Sequence, residues 1–184
     1  MRISNENKLL VSALISLCIL FLFAFYLVPK YGVNQFSDNI TLLDVRLWYS
    51  ASDVTELFTN LGESGREAYT SFVLFIDMVY PLVYGIALIF FLAFLLKKRF
   101  TKKSYFLYLT YLPFGIMFFD YLENTNTLIL LNKFPSVNNY LVMLGSMATS
   151  LKWLLTLLSI GTFVVVSISL LYRTFVPKPK NHHE

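Results

Sequence analysis

Four ionisable side chains stand inside long apolar stretches of this chain: Asp77, Asp120, Glu123 and Lys152. In hydrocarbon each costs at least about 2.5–3.5 kcal/mol on insertion scales, so such groups face a protein interior and find partners. Their spacing puts them on defined helix faces. Asp77, Tyr80, Pro81 and Tyr84 fall at i, i+3, i+4 and i+7, and Asp120, Glu123, Asn124 and Thr127 repeat that pattern with Pro113 on the same side. Gly145, Thr149, Lys152, Thr156 and Ser159 make one polar stripe on a further helix. Pro81 and Pro113 each remove a backbone donor and free a carbonyl inside a bundle, which suits a cavity or a kink.

Three carboxylates and one ammonium do not neutralise one another. The surplus must be protonated, balanced by Arg66 or Arg46 from a neighbouring loop, or met by a bound cation. The first reading is a binding pocket for a small or lipidic, polar or cationic ligand. Asp77, Asp120 and Glu123 form its acidic wall, with Tyr80, Tyr84 and Asn124 beside them. Lys152 is the internal counter-charge and Arg66 the residue at the mouth. The second is an integral membrane enzyme on a lipid-soluble substrate, with Asp120 or Glu123 as acid/base. The third is a structural or partner-binding subunit. There Lys152 pairs with Asp77 or Asp120 as an interhelical staple, and Asn124, Thr149 and the tyrosines are glue.

Other chemistry finds no support. There is no Gly-rich phosphate loop and no nucleophile elbow. A carboxylate-only site can hold Mg²⁺ or Ca²⁺, but no ligand spacing for either is present, so neither a metal nor a cofactor is expected. The single cysteine, Cys18, lies in an apolar run and reads as a buried, inert thiol. The histidines His182 and His183 read equally as native or as an appended tail, and no span contains a histidine.

The elements that must position these groups are membrane helices. Of 184 residues, 57% are hydrophobic and only 14% charged, with mean hydropathy +0.62. A soluble domain is nearer 45–50% apolar and about 25% charged. Four apolar runs, about 9–28, 70–96, 105–131 and 140–172, each reach the roughly 20 residues that cross about 30 Å of hydrocarbon. The first is longer than a signal-peptide core and no A-x-A-like site follows it, so it reads as a retained helix. The fold expected is an all-α, four-transmembrane-helix bundle forming a single membrane domain over 1–184.

Lysine and arginine set the orientation. Ten flank the chain ends and the loop 97–104, against four (Lys30, Arg46, Arg66 and Lys133) in the other two connections. That bias places both termini, the basic loop and the tail 173–184 in the cytoplasm, in what reads as a plasma membrane. The basic loop is a topology signal, and nucleic-acid binding is not implied. The lipid bilayer is the expected partner, and a homo-oligomer is open. Counting 1.5 Å per residue, Asp77 lies about 10 Å, Asp120 about 8 Å, Glu123 about 3–4 Å and Lys152 about 18 Å below the outer ends of their helices. Lys152 leans outward and Asp120 inward, so the four can converge in the outer half of the membrane. The first helix offers only Ser12 and Ser16 and reads as scaffold.

The outer loop, 30–68, predicts a short amphipathic helix over Asp53–Leu61, capped by Ser52 or Asp53 and stopped by Gly62. Val54, Leu57, Phe58 and Leu61 share its apolar face. Ser64 and Glu67 fit a capping box for the helix that follows.

The series Leu61-Gly62-x-x-Gly65-Arg66-x-x-Tyr69, Asp77-x-x-Tyr80-Pro81-x-x-Tyr84, Asp120-x-x-Glu123-Asn124 and Lys152-Trp153 resembles a family of small four-span membrane proteins to which no activity attaches. That resemblance covers roughly 40–175. The four-helix layout is also loosely similar to sterol-isomerase and sigma-2-receptor-like proteins, which use intramembrane acids to hold cationic ligands.

Overall fold

The computed structural model describes residues 5–31, 40–100 and 104–175. Among them every regular element is helical. The basic residues Arg2, Lys102, Lys103, Lys178 and Lys180, and both histidines, lie outside the described residues.

Helix α1, Asn5–Leu22, runs through a π-helical turn, Phe23–Leu27, into α2, Val28–Tyr31. A connection then leads to α3, Ala51–Phe72, a π turn Val73–Asp77, and α4, Tyr80–Arg99. A 3₁₀ stretch, Tyr105–Tyr111, precedes α5, Leu112–Lys133, and α6, Asn139–Phe175, closes the chain. Among the described residues three stretches are long and apolar enough to cross a membrane: Asn7–Lys30, Ala51–Arg99 and Asn139–Arg173. The expected third span does not meet that measure. Its first turns are 3₁₀, and α5 carries Asp120, Glu123 and Lys133, which lower its hydropathy. Yet α5 is the most enclosed helix. It packs along α6 and against α4, while α1 packs chiefly on α4.

Close approach of these helices is set by small residues. A Cβ at Gly85 on α4 would run into the Met117 side chain of α5, and one at Gly145 on α6 would meet the Asn126 amide and the Tyr49 hydroxyl. Small residues let membrane helices bring their backbones together without a hydrophobic driving force between them.

The start of α3 falls earlier than the sequence suggests. Ser50 is the cap: Asp53 N donates to Ser50 Oγ (3.3 Å) and Ser50 N to Asp53 Oδ2 (2.7 Å). Among the described residues this pair, not Ser64 with Glu67, forms the capping box. Gly62 does break the helix, at φ 64° and ψ −172°, a region essentially reserved for glycine. The helix resumes at once on a new axis. Val54, Leu57, Phe58 and Leu61 are buried with Tyr49, Tyr69, Phe72 and Leu130 in one core at this end of the bundle. A smaller core at the other end joins Leu92, Leu95, Leu96 and Val166. Cys18, expected to be buried, is exposed on the outer face of α1, and α1 and α6 leave most of their apolar surface uncovered.

Candidate functional site

Pro81 organises the second polar face. In a regular helix its N–H would donate to the Asp77 carbonyl, and proline has none. The backbone widens ahead of it, with Met78 N donating to Val73 O at 2.9 Å, and π turns of this kind recur at functional positions. The freed Asp77 carbonyl accepts instead from Asn124 Nδ2 on α5, at 2.8 Å. Pro113 is handled locally: the Leu109 carbonyl takes the Leu112 N–H within the 3₁₀ stretch.

Asp120, Glu123, Asn124 and Thr127 all face inward from α5, each at most 4% exposed. Lys152 of α6 reaches two of them. Its Nζ lies 2.5 Å from Glu123 Oε2 and 3.2 Å from Asp120 Oδ1. Thr149 Oγ1 donates to Glu123 Oε1 at 2.7 Å, and Tyr84 Oη donates to Asp120 Oδ2 at 2.7 Å. The lysine therefore pairs with Asp120 and Glu123, and not with Asp77. On α6, Thr149 and Ser159 are buried, and Thr156 Oγ1 returns to the Lys152 carbonyl. The stripe extends to Ser146 and Ser150, which hold the Tyr49 N–H and the Leu47 carbonyl.

Asp77 stands apart. It is 7% exposed, and its carboxylate lines a cavity of about 460 Å³. Among the described residues its side chain has no hydrogen-bond or ion-pair partner. Tyr80, Tyr84, Asp120 and Lys152 line the same cavity. Tyr80 stacks on Phe23 of the α1 extension, ring centroids 5.6 Å apart.

Arg66, expected at the mouth, and Arg46, offered as a balance for the surplus charge, both take other partners. Arg66 Nη1 donates to the Phe58 carbonyl at 2.9 Å, and its guanidinium lies 4.7 Å from the Phe134 ring. It braces the Gly62 break, because a bend there leaves carbonyls that a long donor can reach. Arg46 pairs with Asp53 at 3.7 Å and donates to the Thr41 carbonyl. Neither arginine lines the cavity.

Asp44 was not singled out by sequence, yet it joins the cluster. Its carbonyl accepts from Lys152 Nζ and Trp153 Nε1, each at 3.3 Å, and its Oδ1 is buried without a hydrogen bond. Burial pushes the Asp44 carboxyl above the usual carboxylate range, although Lys152 opposes the rise. The available signal was an acid inside the apolar run Leu42-Leu43-Asp44-Val45. Tyr49, with its hydroxyl against Asn126, gave no such signal. The first helix is more than scaffold: Leu20, Phe21, Ala24 and Phe25 form one wall of the cavity.

No protein-family model, no curated protein and no solved structure matches this chain. The resemblances carried by its motifs rest on those residues alone.

Proposed function

We propose that the chain is a membrane-embedded bundle of four spans, about 9–28, 70–96, 105–131 and 140–172, that binds a small or lipidic, polar or cationic ligand in the cavity at Asp77. On this reading α5 is the third span, its charges shielded by α4 and α6, and both termini are cytoplasmic. The cavity then opens in the outer half of a plasma membrane. One observation carries the binding role: a carboxylate only 7% exposed faces a cavity of about 460 Å³ and has no ion-pair or hydrogen-bond partner among the described residues, the Lys152 of the same cavity being taken by Asp120 and Glu123. Ligand sites commonly occupy about 300–1,000 Å³, are mostly apolar, and have few convergent polar groups. Lys152 is already engaged by Asp120 and Glu123, so the negative surplus at Asp77 and Asp44 is left for a guest.

Half of the cluster supports the staple reading as well. The Lys152–Glu123–Thr149 set joins α5 to α6 and needs no ligand to explain it. Thermal unfolding in phosphatidylcholine nanodiscs, with cyclohexylammonium as probe, tests the division. The amine is expected to raise the melting temperature of the wild type and not that of Asp77→Asn. Asp77→Asn alone is expected to melt at the same temperature as wild type, or higher, because it removes an uncompensated buried charge. Equal stabilisation of both proteins by the amine, or of neither, defeats the binding role.

A further inference from the structure

The cavity at Asp77 has an asymmetric wall. Its polar groups, Asp77, Tyr80, Tyr84 and Asp120, come from the π turn, α4 and α5, as do Leu88 and Ile116, and Asp44 and Val45 of the α2–α3 connection also line it. The remaining sides are α1 and its π-helical extension, through Leu20, Phe21, Ala24 and Phe25, and α6, through Lys152, Trp153 and Thr156. These two helices do not close on each other. Among the described residues α1 packs along α4, α6 packs along α5, and α1 and α6 make no extended contact. Phe21 and Phe25, at 56% and 75% exposed, line the cavity from the α1 side. Trp153 lines it from the α6 side, held in place by its indole N–H on the Asp44 carbonyl.

We infer that the gap between α1 and α6 is a lateral entrance from the bilayer, and that the ligand is an amphiphile with a protonated amine head and an apolar chain. The inference rests on the binding role proposed above and adds the ligand class and the route. The head sits at the unpartnered Asp77 carboxylate, with Asp44 as the neighbouring negative charge and the Tyr80 and Tyr84 rings beside it. Aromatic faces favour a cation in such a setting. The chain lies along α1, between Phe21 and Trp153, where a fully water-soluble amine leaves the apolar wall uncovered. An anionic or uncharged amphiphile of the same length gains nothing at Asp77.

The chain has two tryptophans, Trp48 and Trp153, so Trp48→Phe leaves Trp153 as the only indole. In nanodiscs, that protein is titrated with a long-chain alkylammonium brominated near its terminal carbon, and with the matching brominated alcohol. Saturable quenching by the amine, little by the alcohol, and loss of saturation on adding Asp77→Asn are expected. Adding Ala24→Phe, which fills the α1 side, is expected to weaken the long amine by about tenfold or more, the scale on which pocket shape discriminates, while cyclohexylammonium still stabilises the protein. If Ala24→Phe leaves the long amine unaffected while Asp77→Asn abolishes its binding, the lateral route fails and the amine site stands. If Asp77→Asn changes neither amine, both fail. Quenching by the alcohol equal to that by the amine overturns the assignment of a charged head.

Discussion

Glu123 and Asp77 are both carboxylates on inward faces of neighbouring helices, and the structure treats them in opposite ways. Glu123 is fully enclosed, ion-paired to Lys152 and hydrogen-bonded by Thr149. At Gly145, one turn from the Thr149 that holds it, a Cβ would run into the Asn126 amide and the Tyr49 hydroxyl. Asp77 lies one helix away beside an open cavity, with its carbonyl satisfied by Asn124 and its carboxylate left over. A buried pair is worth little against a well-packed apolar substitute, but a broken one is costly. The closed side is therefore architecture whose parts depend on one another. On the binding role proposed above, the open side is a carboxylate held at a cost to stability for a ligand.

The largest effect that can test this contrast is at Lys152. Lys152→Met strands Glu123 and Asp120, and is expected to lower unfolding stability by about 3–5 kcal/mol. Adding Glu123→Gln is expected to recover much of that loss in the same denaturation assay. If the single variant is as stable as wild type, the closed side is not a staple. Next in size is Gly145→Ala. Its Cβ falls where the Asn126 amide and Tyr49 hydroxyl stand, and overpacking of this kind costs about 1–3 kcal/mol. A neutral result would show that α5 and α6 can separate, and with them the enclosure of Glu123.

The smallest effect belongs to Asp44 on the open side. Asp44→Asn is expected to leave stability at neutral pH unchanged or raised. The sign with pH follows from the raised carboxyl in the fold. Between the unfolded and folded pKa values the native state binds more protons than the unfolded one, so stability falls as pH rises through that window. Wild type is thus expected to gain stability on acidification toward the unfolded carboxylate range, and Asp44→Asn to gain less. Parallel melting curves against pH for the two proteins would remove Asp44 from the open side.

Some features follow from short stretches of chain. The apolar runs at Leu9–Val28 and Tyr140–Tyr172 become helices because length and composition are local properties. Gly62 breaks α3 because a backbone at φ 64° excludes other residues. The faces of Asp120, Glu123, Asn124 and Thr127 follow from helical period alone. The start of α3 was displaced to Ser50 because Ser50 and Asp53 satisfy each other's backbone donors better than Ser52 can.

Which partner each charge takes is another matter. Helical period places Asp77 and Asp120 as equal candidates for Lys152, and only the rotation and separation of α4, α5 and α6 give the lysine to Asp120 and Glu123. Arg66 sits close in sequence to the acidic face, yet it is taken by the Phe58 carbonyl, which the bend at Gly62 leaves within its reach, and by the Phe134 ring. Asp44 enters the cluster across a hundred residues of chain, through Lys152 and Trp153. The sequence by itself determined the helices, their polar faces and the surplus of negative charge, because these depend on neighbours within a few turns. Tertiary structure alone decided which carboxylate is paired and which faces a cavity, because that depends on how helices distant in sequence are turned toward one another.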